Sequence, residues 1–524
     1  MANEEHEKVQ LTQDDLYKSL KKHDIDILHL FGKDDISNSD YFFAGINSDI
    51  MSNALSILIN EMTSNLESVG VDNNCRAIIE AFVILKMEAV GDISDLQKEI
   101  YRYQYSLVDL DNFKKVIKEE DKQHPNYQSV IKDRAKAVEA IIKHLGCKEE
   151  DLLNYKIASY DPNFYLKHTL KEKINFASLL EKYPVFDEKI SKLYEFFSLY
   201  AHPHFENNLV LEEGLNKVRQ IYINQILDYV FKYLINTKLI IKDDSMPSFY
   251  DDFWGNPLLE NNVVNIKTLE QTFILLEKML CDVGDKQFDS FLSFYLEKMR
   301  YLTIDMLISM SMGYKEQVIS KFKSFIEYTS IFVYINMVNS EGELNNLKRA
   351  FLYSSRLQLE EHLISTGIVK DNVVDTSVLK KLYETFYKEK YGLNDYQEFE
   401  RNIRKNSLYF LSKNEKNYTF FVKTALKKMF LDEEEQQVMS LYKISKDMNH
   451  AGGYNFNSSE GIWDSSCWRV LIIVWKCLIQ IILRVDLTYK EHGIECDIKI
   501  PIEQLKLFLQ VAYDELEKVI KSYL

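Results

Sequence analysis

The chain has 524 residues, a formal net charge of -16, 46% hydrophobic and 27% charged residues. One hydrophobic core rarely serves such a length, so two or more domains are expected in a folded, not disordered, protein. The acidic balance opposes a broad grip on nucleic-acid backbones, and 16 Gly with 7 Pro leave few obligatory breaks, which predicts an all-α fold.

The first residues, MANEEHEKVQLTQDD, are polar and acidic and lack the basic region and apolar run of a secretory signal, so a cytoplasmic protein is expected. Thr12 and Asp15 before LYKSLKKHD predict a short capped helix. The Asp, Ser, Asn and Gly of residues 32–47 predict a loop, which makes 1–48 an N-terminal helix and loop. A first repeat, 49–243, then begins. Apolar spacing predicts helices from Asp49 to about Val69 and from about Asn74 to Ala89, and Gly91 with Asp92 breaks the chain. A tyrosine-rich helix follows over Ile93 to Glu120, holding Tyr101, Tyr103 and Tyr105, and a helix from Tyr127 to Leu145 ends at Gly146. Asp161 and Pro162 open an irregular stretch before a helix at Phe176 to Lys182, and Pro184 turns the chain into the helix of Tyr194. That helix should stop near His202, where Pro203 follows, and another long helix starts near Gly214.

Pro247, Gly255 and Pro257 mark residues 244–262 as the linker between halves. The second repeat, 263–490, shows the same order: LEQTFILLEKML, FDSFLSFYLEKMRYLTIDMLISM, FKSFIEYTSIFVYINMV, ELNNLKRAFLYSSRLQLEEHL and YTFFVKTALKKMF are helical. The acidic residues Asp432 to Glu435 read as a turn leading to the helix of Tyr442 and His450. WRVLIIVWKCLIQIILRV is the most apolar stretch, but Lys476 and Gln480 interrupt it, so it reads as a buried core helix and no membrane role is expected. Residues 491–524 comprise IECDIKIPI, a short strand or extended connector, and a closing helix.

The halves echo each other in their polar residues. KLYEFFSLYAHPHF and SLYKISKDMNHAGGYNF align Tyr194 and His202 with Tyr442 and His450, while Arg76 and Glu80 align with Lys323 and Glu327. The chain is therefore expected to be two tandem divergent helical bundles related by a pseudo-twofold axis. Residues four apart share a helix face, so Arg76 and Glu80 form one polar stripe and Tyr194, Ser198 and His202 another. Ala77, Ile78, Ile79, Ala81, Phe82, Val83 and Ile84 leave the first helix almost no solvated side, so Glu80 should be buried and paired with Arg76, Tyr194, Ser198 or His202. Two readings follow: a satisfied network that fixes helix register, or an acid/base constellation in which imidazole titrates near neutrality and a cation stabilises an anionic transition state.

The set of an apolar helix with Arg-x3-Glu, a tyrosine-rich helix and a later Tyr-x3-Ser-x3-His helix resembles a widespread uncharacterised bacterial domain family. More distantly it is similar to HEPN-type helical domains of abortive-infection, toxin and other prokaryotic defence proteins. In the second half Lys323 stands for the Arg and Lys446 for the Ser. The resemblance implies a defence context, and ribonuclease members of the HEPN group carry Arg-x4-6-His on one helix, where the pair handles the 2'-hydroxyl and scissile phosphate without metal. Here Arg356 and His362 fit that spacing, once, with Leu after the Arg.

No P-loop, dinucleotide fingerprint, nucleophile elbow or H-E-x-x-H is present, and the six Cys are scattered, so no cofactor and no metal are expected. The expected function is an interaction or regulatory component, with a protein partner or self-association. The alternative is a metal-independent ribonuclease or toxin using Arg76, His202 and their counterparts or Arg356 and His362, the one case in which RNA is a partner.

Overall fold

The computed structural model describes residues 13–31, 36–63, 65–66, 68–104, 125–154, 163–185, 193–198, 209–237, 246–248, 251, 289–312, 314–335, 341–365, 375–405, 418–448 and, with gaps, 467–481. Among the described residues the regular elements are all helical and no strand occurs. In chain order they are α1 (Gln13–Phe31), α2 (Asn38–Met62), α3 (Val69–Ala89), α4 (Asp95–Tyr103), α5 (Pro125–Leu145), α6 (Glu149–Asn154), α7 (Phe176–Lys182), a helical stretch at 193–198, and α8 (Leu209–Asn236). There follow α9 (Asp289–Ser311), α10 (Lys315–Ile335), α11 (Glu341–Ser365), α12 (Thr376–Leu382), α13 (Lys388–Tyr391), α14 (Tyr396–Lys405), α15 (Tyr418–Met429) and α16 (Asp432–Met448). A π-helical turn, Tyr383–Tyr387, joins α12 to α13.

Several elements differ from the sequence reading. The loop expected at 32–47 gives way to helix from Asn38, because Ser37 caps it, its hydroxyl accepting the Asp40 N–H at 3.1 Å, and Tyr41, Phe42 and Ile46 bury their side chains. The division at 48/49 thus falls inside α2. Helix α3 starts at Val69, five residues before the expected Asn74, with the Ser68 hydroxyl accepting the Gly70 N–H at 3.1 Å. The tyrosine-rich helix opens on a Ser94/Gln97 capping box, and its part beyond residue 104 lies outside the described residues. Asp432 to Glu435 are not a turn but the first turn of α16, where acidic side chains complement the positive end of the helix dipole. The linker, apart from 246–248 and 251, the LEQTFILLEKML helix and residues 491–524 lie outside the described residues.

One contiguous core runs through both halves. Helix α2 packs on α3, α9 on α10, α3 against both α9 and α10, and α10 against α15 and α16. The described part of the apolar stretch near the C-terminus joins this core through Val470, Leu471, Val474, Cys477, Leu478 and Ile481. Among the described residues α2 alone is long and apolar enough to cross a membrane, and 83% of its apolar window is buried inside the protein.

Where α2 and α3 meet α9 and α10 the seam is polar. Asp305 of α9 accepts from Asn60 Nδ2 at 2.9 Å, from Ser68 Oγ at 2.7 Å and from Lys321 Nζ. Lys321 also donates to Ser56 Oγ at 3.0 Å and Ser309 Oγ at 2.7 Å. Further along, Gln317 Nε2 donates to Ser52 Oγ at 3.2 Å, and Asn73 Nδ2 donates to Ser324 Oγ at 2.9 Å. Gly70 allows this approach: a Cβ there would stand 2.4 Å from Asp305 Oδ2 and 3.1 Å from the Lys321 chain. Gly70→Ala is therefore expected to lower stability by about 1–3 kcal/mol, as overpacking does. An unchanged urea midpoint would show that the seam opens freely.

Candidate functional site

Helix α3 is buried along nearly its whole length, so its polar residues meet protein on every side. Glu80 is 0% exposed and Arg76 5% exposed, with Arg76 Nε 3.8 Å from Glu80 Oε1. The helical stretch at 193–198 brings Tyr194 over this pair, and its hydroxyl donates to Glu80 Oε1 at 3.0 Å. The expectation of a buried Glu80 paired with Arg76, Tyr194, Ser198 or His202 is met through Arg76 and Tyr194.

The second half contains the same chemistry. On α10, Lys323 Nζ lies 3.3 Å from Glu327 Oε2, and both side chains are buried. From α16, the Tyr442 hydroxyl donates to Glu327 Oε1 at 2.9 Å. Three residues after Tyr442, Ser445 Oγ accepts the Lys323 backbone N–H at 2.5 Å and donates to the Ser320 carbonyl at 3.2 Å, tying α16 to α10. Lys446, in the place of Ser198, is exposed.

Electrostatics assign passive roles to the phenols. Burial first and the adjacent Glu80 second raise the Tyr194 pKa, and burial and Glu327 raise that of Tyr442 well above the ordinary range. Both tyrosines are locked as neutral donors, unable to act as bases near neutrality. Lys323 is lowered to about 8 by burial, with Glu327 opposing and with Arg76 and Lys446 pushing the same way as burial. It remains mainly protonated at neutral pH, its charge held by Glu327.

Of the other sequence candidates, His202 and His450 lie outside the described residues, as does the His362 side chain. Arg356 is half-buried on α11, its guanidinium 5.8 Å from the Tyr353 ring centroid. Cys75 and Cys477 are buried free thiols, Cys467 is buried, Cys147 is half-buried, and among the described residues no group of three or more His, Cys, Asp or Glu is placed to hold a metal ion.

Two buried charge networks were missed by the sequence reading. One is the Asp305–Lys321 cluster of the seam. The other joins α8 to α3, where Arg219 Nε and Nη2 donate to the two Asp72 oxygens at 2.7 and 2.8 Å. A lone acid in the apolar run LTIDMLISM carried the same signal that marked Glu80. Comparison of the chain with protein-family models, with curated proteins and with solved structures gives no match in any of the three.

Proposed function

We propose that the chain is a helical interaction or regulatory protein of the bacterial cytoplasm, a component of phage defence of the abortive-infection type, acting through a protein partner or self-association. It is built from two divergent copies of one helical unit. What supports the duplication is the recurrence of a cation, a glutamate four residues on and a tyrosine donor from a later helix, with Tyr–Glu distances of 3.0 and 2.9 Å. What supports a pseudo-twofold relation is that α3 and α10, the corresponding helices, pack on each other, as elements beside a twofold axis do.

The observation that carries the interaction reading over the ribonuclease reading is the state of the carboxylates. Glu80 and Glu327 are buried, each beside its own cation and each accepting a neutral phenol. That is the arrangement of a satisfied network that fixes helix register. A general base must instead reach the proton it abstracts.

The test is His202→Ala together with His450→Ala. The expected result is a loss of roughly 1–3 kcal/mol of stability per site for at least one copy, from partners left unsatisfied, with no RNA cleavage or toxicity to lose. A stable, folded double variant that has lost a measurable ribonuclease activity, by the roughly hundredfold to ten-thousandfold that acid/base groups contribute, would establish the HEPN-type enzyme instead.

A further inference from the structure

In each seam hydrogen bond from Ser52, Ser56, Asn60, Ser68 and Asn73, the first half, α1–α8, contributes a neutral group. The charges in these bonds come from α9 and α10: Asp305 and Lys321 reach Asn60, Ser68 and Ser56, and Glu316 Oε1 accepts from Ser52 Oγ at 3.1 Å. The buried ion pairs beside the seam are each closed within one half, Asp72–Arg219 and Arg76–Glu80 in the first, Asp305–Lys321 and Lys323–Glu327 in the second. Parting the halves therefore breaks none of these pairs and leaves none of their charges alone, the event that makes a polar interface costly to open. It breaks hydrogen bonds with at least one neutral member, each of which water replaces at small net cost.

We propose that this seam is a built-in opening, along which the two halves part as folded bodies far more often than the whole chain unfolds. The closed state leaves polar atoms unsatisfied. Asn73, Asn74 and Gln317 are 2%, 1% and 3% exposed, and Asn73 Oδ1, both polar side-chain atoms of Asn74 and Gln317 Oε1 are buried without a protein partner. All three residues stand at the seam. Asn73 and Gln317 bond across it, and Asn74 follows by one helical turn Gly70, where an added Cβ would meet Asp305 and Lys321. Opening hydrates these atoms and the Asp305–Lys321 pair, which offsets the crossing bonds it breaks. Each half keeps stronger ties of its own: Arg219 grips Asp72 with two charge-assisted bonds, and α16 holds α10 through Tyr442 and Ser445. The inference does not depend on the functional reading above.

The opening is a single event. Ser52, Ser56 and Asn60 recur every four residues along one stripe of α2 and meet Gln317, Lys321 and Asp305 in turn, while Asn73 ties α3 to Ser324. Bonds so placed along stiff helices are lost together, so positions at different points of the seam share one opening rate.

The experiment is thiol labelling of the full chain with iodoacetamide, in native buffer and in rising urea, read site by site by peptide mass spectrometry. Ser52→Cys, Ser56→Cys and Ser324→Cys, made singly, put near-isosteric thiols at buried seam positions. The natural buried thiols are the internal references, Cys75 on the Asp72 side of α3 and Cys477 in the second half. The three seam thiols are expected to label at one common rate, roughly a hundredfold or more above that of Cys75 and Cys477, and with a shallower urea dependence than global unfolding, because parting exposes only the seam. Each variant weakens a different bond, so a common rate cannot come from any one substitution. Asn74→Leu, which replaces the unsatisfied amide by an apolar group of similar size, should slow all three by one factor, about three- to tenfold. Seam thiols that label no faster than Cys75 and Cys477 would overturn the proposal, since the seam would then open only with the whole chain. Separate rates and urea slopes at the three positions would overturn it as well, by showing local fraying, and so would faster labelling in Asn74→Leu.

Discussion

Asp305→Ala is expected to lower the stability of the protein by about 3–5 kcal/mol, the range for breaking a buried ion pair by removing one partner. Asp305 is 0% exposed and is the common acceptor for Lys321, Asn60 and Ser68, so its loss strands a buried ammonium, an amide and a hydroxyl at once. Lys321 keeps Ser56 and Ser309, which solvate the ammonium without neutralising it. Burial already lowers the Lys321 pKa below its ordinary 10.5, with Asp305 opposing, so removal of Asp305 drives it lower still. The sign follows. A lysine depressed in the folded state binds fewer protons there than in the unfolded chain, so stability rises with pH across the window below 10.5. The Asp305→Ala deficit in urea midpoint should therefore shrink as pH is raised from neutral. Asp305→Leu combined with Lys321→Met should recover most of the loss, since an apolar pair of similar volume replaces a buried ion pair at little cost. A deficit that is small or unaffected by pH would mean that water reaches this cluster.

How much of the site could be read from the chain depends on whether its partners lie within one helical turn. Arg76 and Glu80 are four residues apart in a segment with no solvated side, so burial and pairing both followed from periodicity. Tyr194 and Tyr442 were legible because the sequence repeats them, and each finds its glutamate more than a hundred residues away. Asp305 has no such echo. Its partners Asn60 and Ser68 lie 245 and 237 residues upstream, and nothing local to any of the three predicts their meeting. The beginning of α2 was misread for a different reason: Ser37, Asn38, Ser39 and Asp40 have turn composition, yet a cap and a first helical turn use the same residue types. The acidic run at α16 misled in the same way, since four like charges suit a solvated turn and a helix N-terminus equally.

Arg219→Ala is expected to cost about 3–4 kcal/mol, close to the Asp305 effect, because one guanidinium closes the junction of three elements. Beyond its two bonds to Asp72, Nη1 donates to the Leu66 carbonyl at 2.6 Å and Nη2 to that of Ser68 at 3.0 Å, which clamps α8 onto the α2–α3 connection. Arg219→Lys should restore only a small part, since a point charge cannot serve a two-oxygen carboxylate and two carbonyls from one fork. The pH dependence runs opposite to that at Lys321. Burial raises the Asp72 pKa above its ordinary 3.8 even with Arg219 pulling it down, so the variant pushes it higher. An acid raised in the folded state binds more protons there than in the unfolded chain, and its favourable contribution is lost as pH rises through the folded value. The Arg219→Ala deficit should accordingly be larger at about pH 8 than at about pH 5, and adding Asp72→Asn should remove that difference while recovering part of the stability. Urea midpoints of the three proteins at both pH values decide it: full rescue by Lys, or a deficit constant with pH, would show that Asp72 is solvated and that the clamp rests on the carbonyls alone.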